Sequence, residues 1–171
     1  EREQFYNLFI EKTSVKLCKA YGTCYGNYNN SYEPINDGHN FQGLKLINKY
    51  KNHKFVMAFE NKKKEGYITE KIINAFYSGA IPIYWGSNNI KDFFNEKAFI
   101  NVSDFKNFNE CIDYILNLSD KEREEIVNQP IYTNSNLINL INDDFNNKNE
   151  NKLLDKYLEK IHNFFKNIYN L

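Results

Sequence analysis

The sequence has few of the residues that cross-link a chain or bind a metal ion. Its three cysteines are Cys18, Cys24 and Cys111, and its three histidines are isolated from one another. An odd number of cysteines without C-x-x-C spacing fits neither a disulfide framework nor a zinc site. We therefore expect free thiols, with a Cys18–Cys24 disulfide as the alternative, and no bound metal.

An excess of charge and a long apolar run are also lacking. The chain has 171 residues, with 22 basic and 22 acidic side chains. A broad nucleic-acid-binding surface needs a basic excess, so we expect no nucleic-acid partner. No apolar run reaches the roughly 18 residues of a membrane span. A hydrophobic content of 42% with 16% aromatic residues instead predicts a globular domain with a real core.

Glycine is scarce as well, with seven residues and no glycine-rich phosphate loop. Residues 54–86 contain another arrangement that suits an anionic ligand. An apolar strand (residues 54–59) leads into a polar loop with Glu60 and Asn61, and the loop ends at Glu70 and Lys71 where an amphipathic helix begins. The backbone N–H groups and positive dipole end of a helix favour anions at such a junction. Glu70 adds a carboxylate for hydroxyl groups and Lys71 an ammonium for phosphate, which together predict a nucleotide-type ligand.

The order of predicted elements indicates an α/β fold. Strands and helices alternate, which is typical of parallel βαβ units and a Rossmann-like sheet flanked by helices. The predicted helices are residues 2–12, 41–50, 69–78 and 108–118, and the predicted strands include residues 54–59, 81–85 and 98–102. Ile112, Ile115 and Leu116 are predicted to face inward. A capping box from Ser119 to Glu122 predicts a further helix.

The C-terminal part of the chain has a different pattern. Apolar residues at helical spacing across residues 152–169 predict an amphipathic helix. We expect this helix to pack on its own domain, and docking on a partner domain or a membrane surface is the alternative. We accordingly divide the chain into a domain of residues 1–132 and a helical extension of residues 133–171.

Residues 59–86 contain three sequence blocks, FEN, then YITEK, then GAIPIYWG. These blocks and the spacing between them closely resemble the signature of the α-1,3/1,4-fucosyltransferases, glycosyltransferase family ten. A looser similarity extends back to Arg2 and forward to about Tyr132. The loop Lys62 to Lys64 departs from the family, which usually has a serine-containing loop after FEN.

The resemblance implies a fold and a set of donor-binding residues. The chain is similar to the C-terminal, donor-binding half of a GT-B enzyme, in which two Rossmann domains face each other across the active site. The expected donor is GDP-fucose, with no cofactor required. The residues that match the family's donor-contacting positions are Arg2, Glu60, Asn61, Tyr67, Glu70 and Lys71. The alternative role of Glu60 is to fix the loop, and that of Glu70 is to stabilise the helix dipole.

The resemblance also implies a reaction and partners. Such enzymes transfer fucose with inversion to a hydroxyl of a glycan acceptor that contains N-acetylglucosamine. The catalytic base comes from an N-terminal acceptor-binding domain that we expect to lie outside this sequence, so no catalytic residue is assigned. The alternatives are a non-catalytic GDP-sugar-binding module, an enzyme that uses another nucleotide sugar, and an assembly module built on the C-terminal helix. The residues of the motifs are closer to those of bacterial relatives, which favours a cytoplasmic location over the Golgi lumen.

Overall fold

A computed structural model describes residues 1–13, 18–21, 32–33 and 44–133. Its helices are α1 (Arg2–Lys12), α2 (Leu44–Tyr50), α3 (Glu70–Tyr77), α4 (Phe108–Asn117) and α5 (Asp120–Val127). Its strands are β1 (Ala20–Tyr21), β2 (Tyr32–Glu33), β3 (Phe55–Phe59), β4 (Ile81–Trp85) and β5 (Ile100–Asn101). Two short 3₁₀ helices, Ile90–Asp92 and Val102–Asp104, flank β5.

The main sheet has three parallel strands in the order β3-β4-β5. Phe55 pairs with Ile81 and Phe59 with Trp85, so the carboxyl ends of β3 and β4 lie side by side. Helix α3 connects these two strands, which forms one βαβ unit. Strands β1 and β2 form a separate parallel pair.

Side chains of β3 alternate between the two faces of the sheet, as expected for a strand. Ala58 packs with Ile72 of α3 on one face. Phe59 packs on the other face with Phe5 of α1 and Ile112 of α4. Phe5 is 0% exposed and its ring centroid lies 5.1 Å from that of Phe59. This contact fixes α1 against the end of β3, and so determines where Arg2 on the first turn of α1 can reach.

The element predictions around the sheet hold closely. Thr69 and Ser78 are the N-cap and C-cap of α3, and Gly79 follows with φ +78°, the left-handed conformation in which glycine ends helices. The capping box of Ser119 and Glu122 is present at the start of α5. Cys18 and Cys111 are free thiols, and Cys24 lies outside the described residues.

Two predictions need correction, and two lie wholly or partly outside the described residues. Leu116 is not inward but 43% exposed, because α4 presents Ile112 and Ile115 to the sheet and turns Leu116 to solvent. The strand predicted for residues 98–102 is limited to Ile100–Asn101. Residues 41–43, ahead of α2, are outside the described part, as is the predicted C-terminal helix. No helix among the described residues is long and apolar enough to cross a membrane.

Candidate functional site

The candidate site is the loop of residues 60–69, which leaves the end of β3 and enters α3. The Glu60 N–H donates to the Trp85 carbonyl at 2.8 Å, so the loop begins with a contact to β4. The site therefore lies at the carboxyl ends of parallel strands, where open α/β sheets bind their ligands.

Glu60 is buried in this loop with both carboxyl oxygens accepting hydrogen bonds. Its side chain is 0% exposed. Oε1 accepts the Thr69 backbone N–H at 2.7 Å, and Oε2 accepts the Thr69 hydroxyl at 2.8 Å and the Lys71 ammonium at 3.1 Å. Burial raises the pKa of Glu60, and the nearby Lys71 charge and the Thr69 hydrogen bonds only partly offset this increase. This geometry favours the role that fixes the loop, because the carboxylate is turned away from solvent.

Lys71 is held by the same group of residues but reaches the surface. Its ammonium donates to Glu60 and, at 3.0 Å, to the Thr69 hydroxyl, while a Glu70 carboxyl oxygen lies 3.9 Å away. The Lys71 side chain is 26% exposed and that of Glu70 is 15% exposed. Both belong to the first turn of α3, so a cation and the positive end of the helix dipole occur together.

Arg2 brings a second cation to the end of β3. Its Nη2 donates to the Phe59 carbonyl at 2.8 Å and to the Asn61 Oδ1 at 2.9 Å. Consecutive residues of the chain, Phe59 and Glu60, therefore bind Arg2 and Lys71 respectively. The structure thus brings Arg2 into contact with Asn61, and Lys71 into contact with Glu60, at the end of β3.

Tyr67 lies in the second half of the loop and is partly buried. The Lys62 ammonium lies 4.8 Å from the centroid of its ring, a cation–π distance. Just before it, Gly66 has φ +72° and donates its N–H to Ser87 Oγ at 2.8 Å and to Asn89 Oδ1 at 3.0 Å. The segment that follows β4 therefore fixes the backbone beside Tyr67.

Thr69, Ser87 and Asn89 are residues of the site that sequence reasoning missed. Thr69 uses its hydroxyl for Glu60 and does not cap α3 with its side chain. Ser87 and Asn89 follow β4, the parallel neighbour of β3. The predicted adjacency of these two strands was the available signal, because it places the segments that follow them at one edge of the sheet.

The titratable side chains of the described residues offer no metal site. No group of three or more His, Cys, Asp or Glu side chains among them could hold a metal ion.

Comparison with known families identifies this arrangement. Residues 1–127 match the family model described as glycosyltransferase family 10 (fucosyltransferase) C-term. The chain belongs to glycosyltransferase family 10. The family resemblance expected from the sequence signature is confirmed.

Curated relatives from distant organisms are fucosyltransferases by name. The chain is 50% identical over 92 residues to the alpha-(1,3)-fucosyltransferase FucT of Helicobacter pylori, covering 50% of this chain and 19% of that protein. It is 41% identical over 68 residues to an alpha-(1,4)-fucosyltransferase of Arabidopsis thaliana, covering 40% of this chain and 17% of the relative. It is 34% identical over 116 residues to alpha-(1,3)-fucosyltransferase B of Drosophila melanogaster, covering 61% of this chain and 24% of that protein. The family 10 domain described here therefore spans less than a quarter of each of these relatives.

Solved structures agree with this assignment. A crystal structure of an alpha1,3-fucosyltransferase with GDP-fucose matches at TM-score 0.50 and 30% identity, covering 75% of this chain and 44% of that one. A crystal structure of alpha1,3-fucosyltransferase with GDP matches at TM-score 0.51 and 30% identity, with the same coverage. The predicted α/β fold, a parallel sheet flanked by helices as in part of a GT-B glycosyltransferase, is confirmed.

Proposed function

We propose that this family 10 domain binds GDP-fucose and forms the donor half of an inverting fucosyltransferase. The observation that carries the proposal is the pair of cations, Arg2 and Lys71, held on Phe59 and Glu60 at the start of the β3–α3 loop. The relatives' names and the neighbour solved with GDP-fucose support the choice of donor. The whole reaction would transfer fucose to a hydroxyl of a glycan that contains N-acetylglucosamine.

The chemistry of the leaving group explains why two cations and a helix N-terminus are useful. When the bond between fucose and GDP breaks, negative charge develops on the diphosphate. Fixed positive groups stabilise that charge more in the transition state than in the ground state, since the charge is still growing. The guanidinium of Arg2 can bind two phosphate oxygens, whereas the Lys71 ammonium acts as a point charge.

The remaining predicted residues would bind the sugar and the nucleoside. Asn61 is exposed beside Arg2 and is proposed to contact the nucleoside, and Tyr67 the sugar. The Glu70 carboxylate is proposed to accept hydrogen bonds from ribose or fucose hydroxyls. Glu60 is buried and is proposed to belong to the donor site through its contact with Lys71. Each of these roles is a proposal made from the family resemblance and from the position of the residue around the loop.

The catalytic base and the acceptor site are proposed to come from another domain of the full enzyme. The match covers 44% of the solved alpha1,3-fucosyltransferase chain, which leaves room for a second domain in such proteins. We assign no general base within this chain. A GDP-sugar-binding module without transferase activity, or an enzyme for another nucleotide sugar, is the competing proposal.

Lys71→Ala tests the proposed site by calorimetric titration with GDP-fucose. A hydrogen bond to a charged group contributes about 1.5–3 kcal/mol, so the variant should bind about 10- to 100-fold more weakly. It should remain folded, because Glu60 keeps its two hydrogen bonds from Thr69 and can bind a proton. Thermal unfolding of the Lys71→Ala variant checks that it remains folded.

The matched control is Lys121→Ala, an exposed lysine on α5 that lies 3.8 Å from Glu125. It should bind GDP-fucose as the wild type does. Parallel titrations with GDP-mannose and UDP-galactose determine the donor. Equal affinity of Lys71→Ala and the wild type would contradict the site, and tighter binding of UDP-galactose than of GDP-fucose would contradict the donor.

A further inference from the structure

Glu60 is an ionisable side chain that burial has taken out of solvent beside the proposed donor site. Its carboxyl group is 0% exposed, and three donor hydrogens from two residues, Thr69 and Lys71, point at its two oxygens. A buried carboxyl group costs free energy unless it is hydrogen-bonded or paired. A neutral residue could fill the same volume at a lower cost, so the carboxylate needs another explanation.

The hydrogen bonds of Lys71 supply that explanation. An ammonium has three N–H donors. One points to Glu60 Oε2 at 3.1 Å and one to the Thr69 hydroxyl at 3.0 Å, while Glu70 at 3.9 Å lies beyond hydrogen-bond distance. Two hydrogen bonds donated to fixed, buried acceptors restrict this flexible side chain to one orientation. The third N–H is left for a phosphate oxygen, since the Lys71 side chain is 26% exposed.

We propose that Glu60 is a positioning residue that acts on the donor through Lys71, holding the ammonium ready for a phosphate oxygen without contacting the donor itself. This inference rests on the proposed function, because it requires Lys71 to bind the diphosphate. Thr69 has a related part, since its hydroxyl lies between the carboxylate and the ammonium and its N–H fixes the same carboxyl group to the start of α3.

Glu60→Asp is the decisive variant because it keeps the charge and shortens the side chain by one methylene. The shorter carboxylate cannot reach both Thr69 and Lys71, so Lys71 loses its fixed orientation while the net charge stays the same. Ordering one long side chain on binding corresponds to about a two- to tenfold loss of affinity. We expect GDP, used as the probe, to bind two- to tenfold more weakly. Glu122→Asp shortens a carboxylate in the α5 capping box and should leave GDP affinity unchanged.

A double-mutant cycle separates positioning from simple structural damage. In the Lys71→Ala background, Glu60→Asp should cause no further loss of GDP affinity, because the side chain that Glu60 positions is gone. A role limited to holding the loop would give the same loss in both backgrounds and would overturn the inference. Thr69→Val keeps the Glu60–Lys71 bond and should show a smaller loss that also vanishes with Lys71→Ala, and it provides a second cycle should Glu60→Asp fail to fold.

A direct readout of Lys71 needs no nucleotide. Reductive methylation should modify Lys71 slowly in the wild type, because two hydrogen bonds must break first, and several-fold faster in Glu60→Asp, with Lys64 as the internal reference. Equal rates would overturn the inference. If the wild type binds neither GDP nor GDP-fucose, the proposed function itself fails. If the wild type binds GDP but the cycle shows no coupling, only the positioning role fails.

Discussion

At the scale of single residues, the pKa of one buried carboxyl group, that of Glu60, connects the site to pH. Burial raises the folded-state pKa of Glu60 above 4.5, whereas the Lys71 charge and the Thr69 hydrogen bonds lower it. Tyr84 is 0% exposed, and burial raises the pKa of its hydroxyl. The negative charge of Glu60 raises the pKa of Tyr84 further. Glu60 therefore links the stability of the domain to pH.

The sign of that link follows from the raised pKa. Between 4.5 and the folded-state pKa, the folded protein holds the Glu60 proton that the unfolded chain has released. The contribution of Glu60 to stability is therefore fully present below pH 4.5 and is lost as pH rises through the folded-state pKa. Urea unfolding at a series of pH values should show the free energy of unfolding of Glu60→Gln rising relative to that of the wild type across this window.

A titration of the Glu60 carboxyl carbon by NMR checks the same prediction directly. Lys71→Met removes the strongest influence that lowers the pKa of Glu60, so its midpoint should move higher still. The Lys121→Ala control should leave the midpoint where it is. A wild-type midpoint at or below 4.5 would contradict the prediction.

At the scale of elements, the sequence predicted β3, α3 and β4 to within a residue because their local signals agree. An apolar run, an amphipathic helix and a helix-ending glycine each favour the same boundaries. The contacts between the segments after β3 and β4 could not be predicted from the same signals. They depend on the register that pairs Phe59 with Trp85, and a one-residue slip would separate Gly66 from Ser87. The exposure of Leu116 is a similar case, since the rotation of α4 is set by its packing.

Gly86 shows how closely these two segments approach. A Cβ at Gly86 would lie 2.5 Å from the Tyr84 hydroxyl oxygen and 2.6 Å from Glu60 Cγ. Both neighbours are buried and cannot give way easily, so Gly86→Ala should destabilise the domain by about 1–3 kcal/mol. It should also weaken GDP affinity, because it displaces the carboxyl group that binds Lys71. Urea unfolding and calorimetry measure the two effects.

Gly79→Ala is the matched control for this prediction. Gly79 has φ +78° and a Cβ there would meet nothing within 4 Å, so its cost is backbone strain alone, about 1–2 kcal/mol. The two variants should lose similar stability, and only Gly86→Ala should lose GDP affinity. If both variants bind GDP as the wild type does, the close approach at Gly86 has no role in the site.

At the scale of the whole molecule, the family match and the described core end at different places. The family model ends at residue 127, yet the described fold continues to residue 133. Phe94 and Tyr132 form an antiparallel bridge, the Asn95 N–H donates to Ile131 O at 2.9 Å, and the Thr133 N–H donates to Phe93 O at 3.0 Å. The domain boundary predicted near residue 132 stays a prediction, and these contacts make it testable.

Two truncated chains test whether residues 129–133 complete the core. Ile131 and Tyr132 pack on the cluster that contains Phe94, with the Tyr132 and Phe94 ring centroids 5.5 Å apart. Burying one large apolar side chain contributes about 1.5–3 kcal/mol, and both are partly buried, so a chain of residues 1–128 should unfold about 2–4 kcal/mol more easily than one of residues 1–133. Both chains lack residues 134–171, so the difference in urea unfolding isolates the five residues.

Tyr132→Ala in the longer chain should reproduce a large part of the loss, whereas Leu116→Ala, at an exposed position, should cost little. Equal stability of the two chains would place the boundary at the end of the family match, because the contacts of Ile131 and Tyr132 would then add nothing to the core.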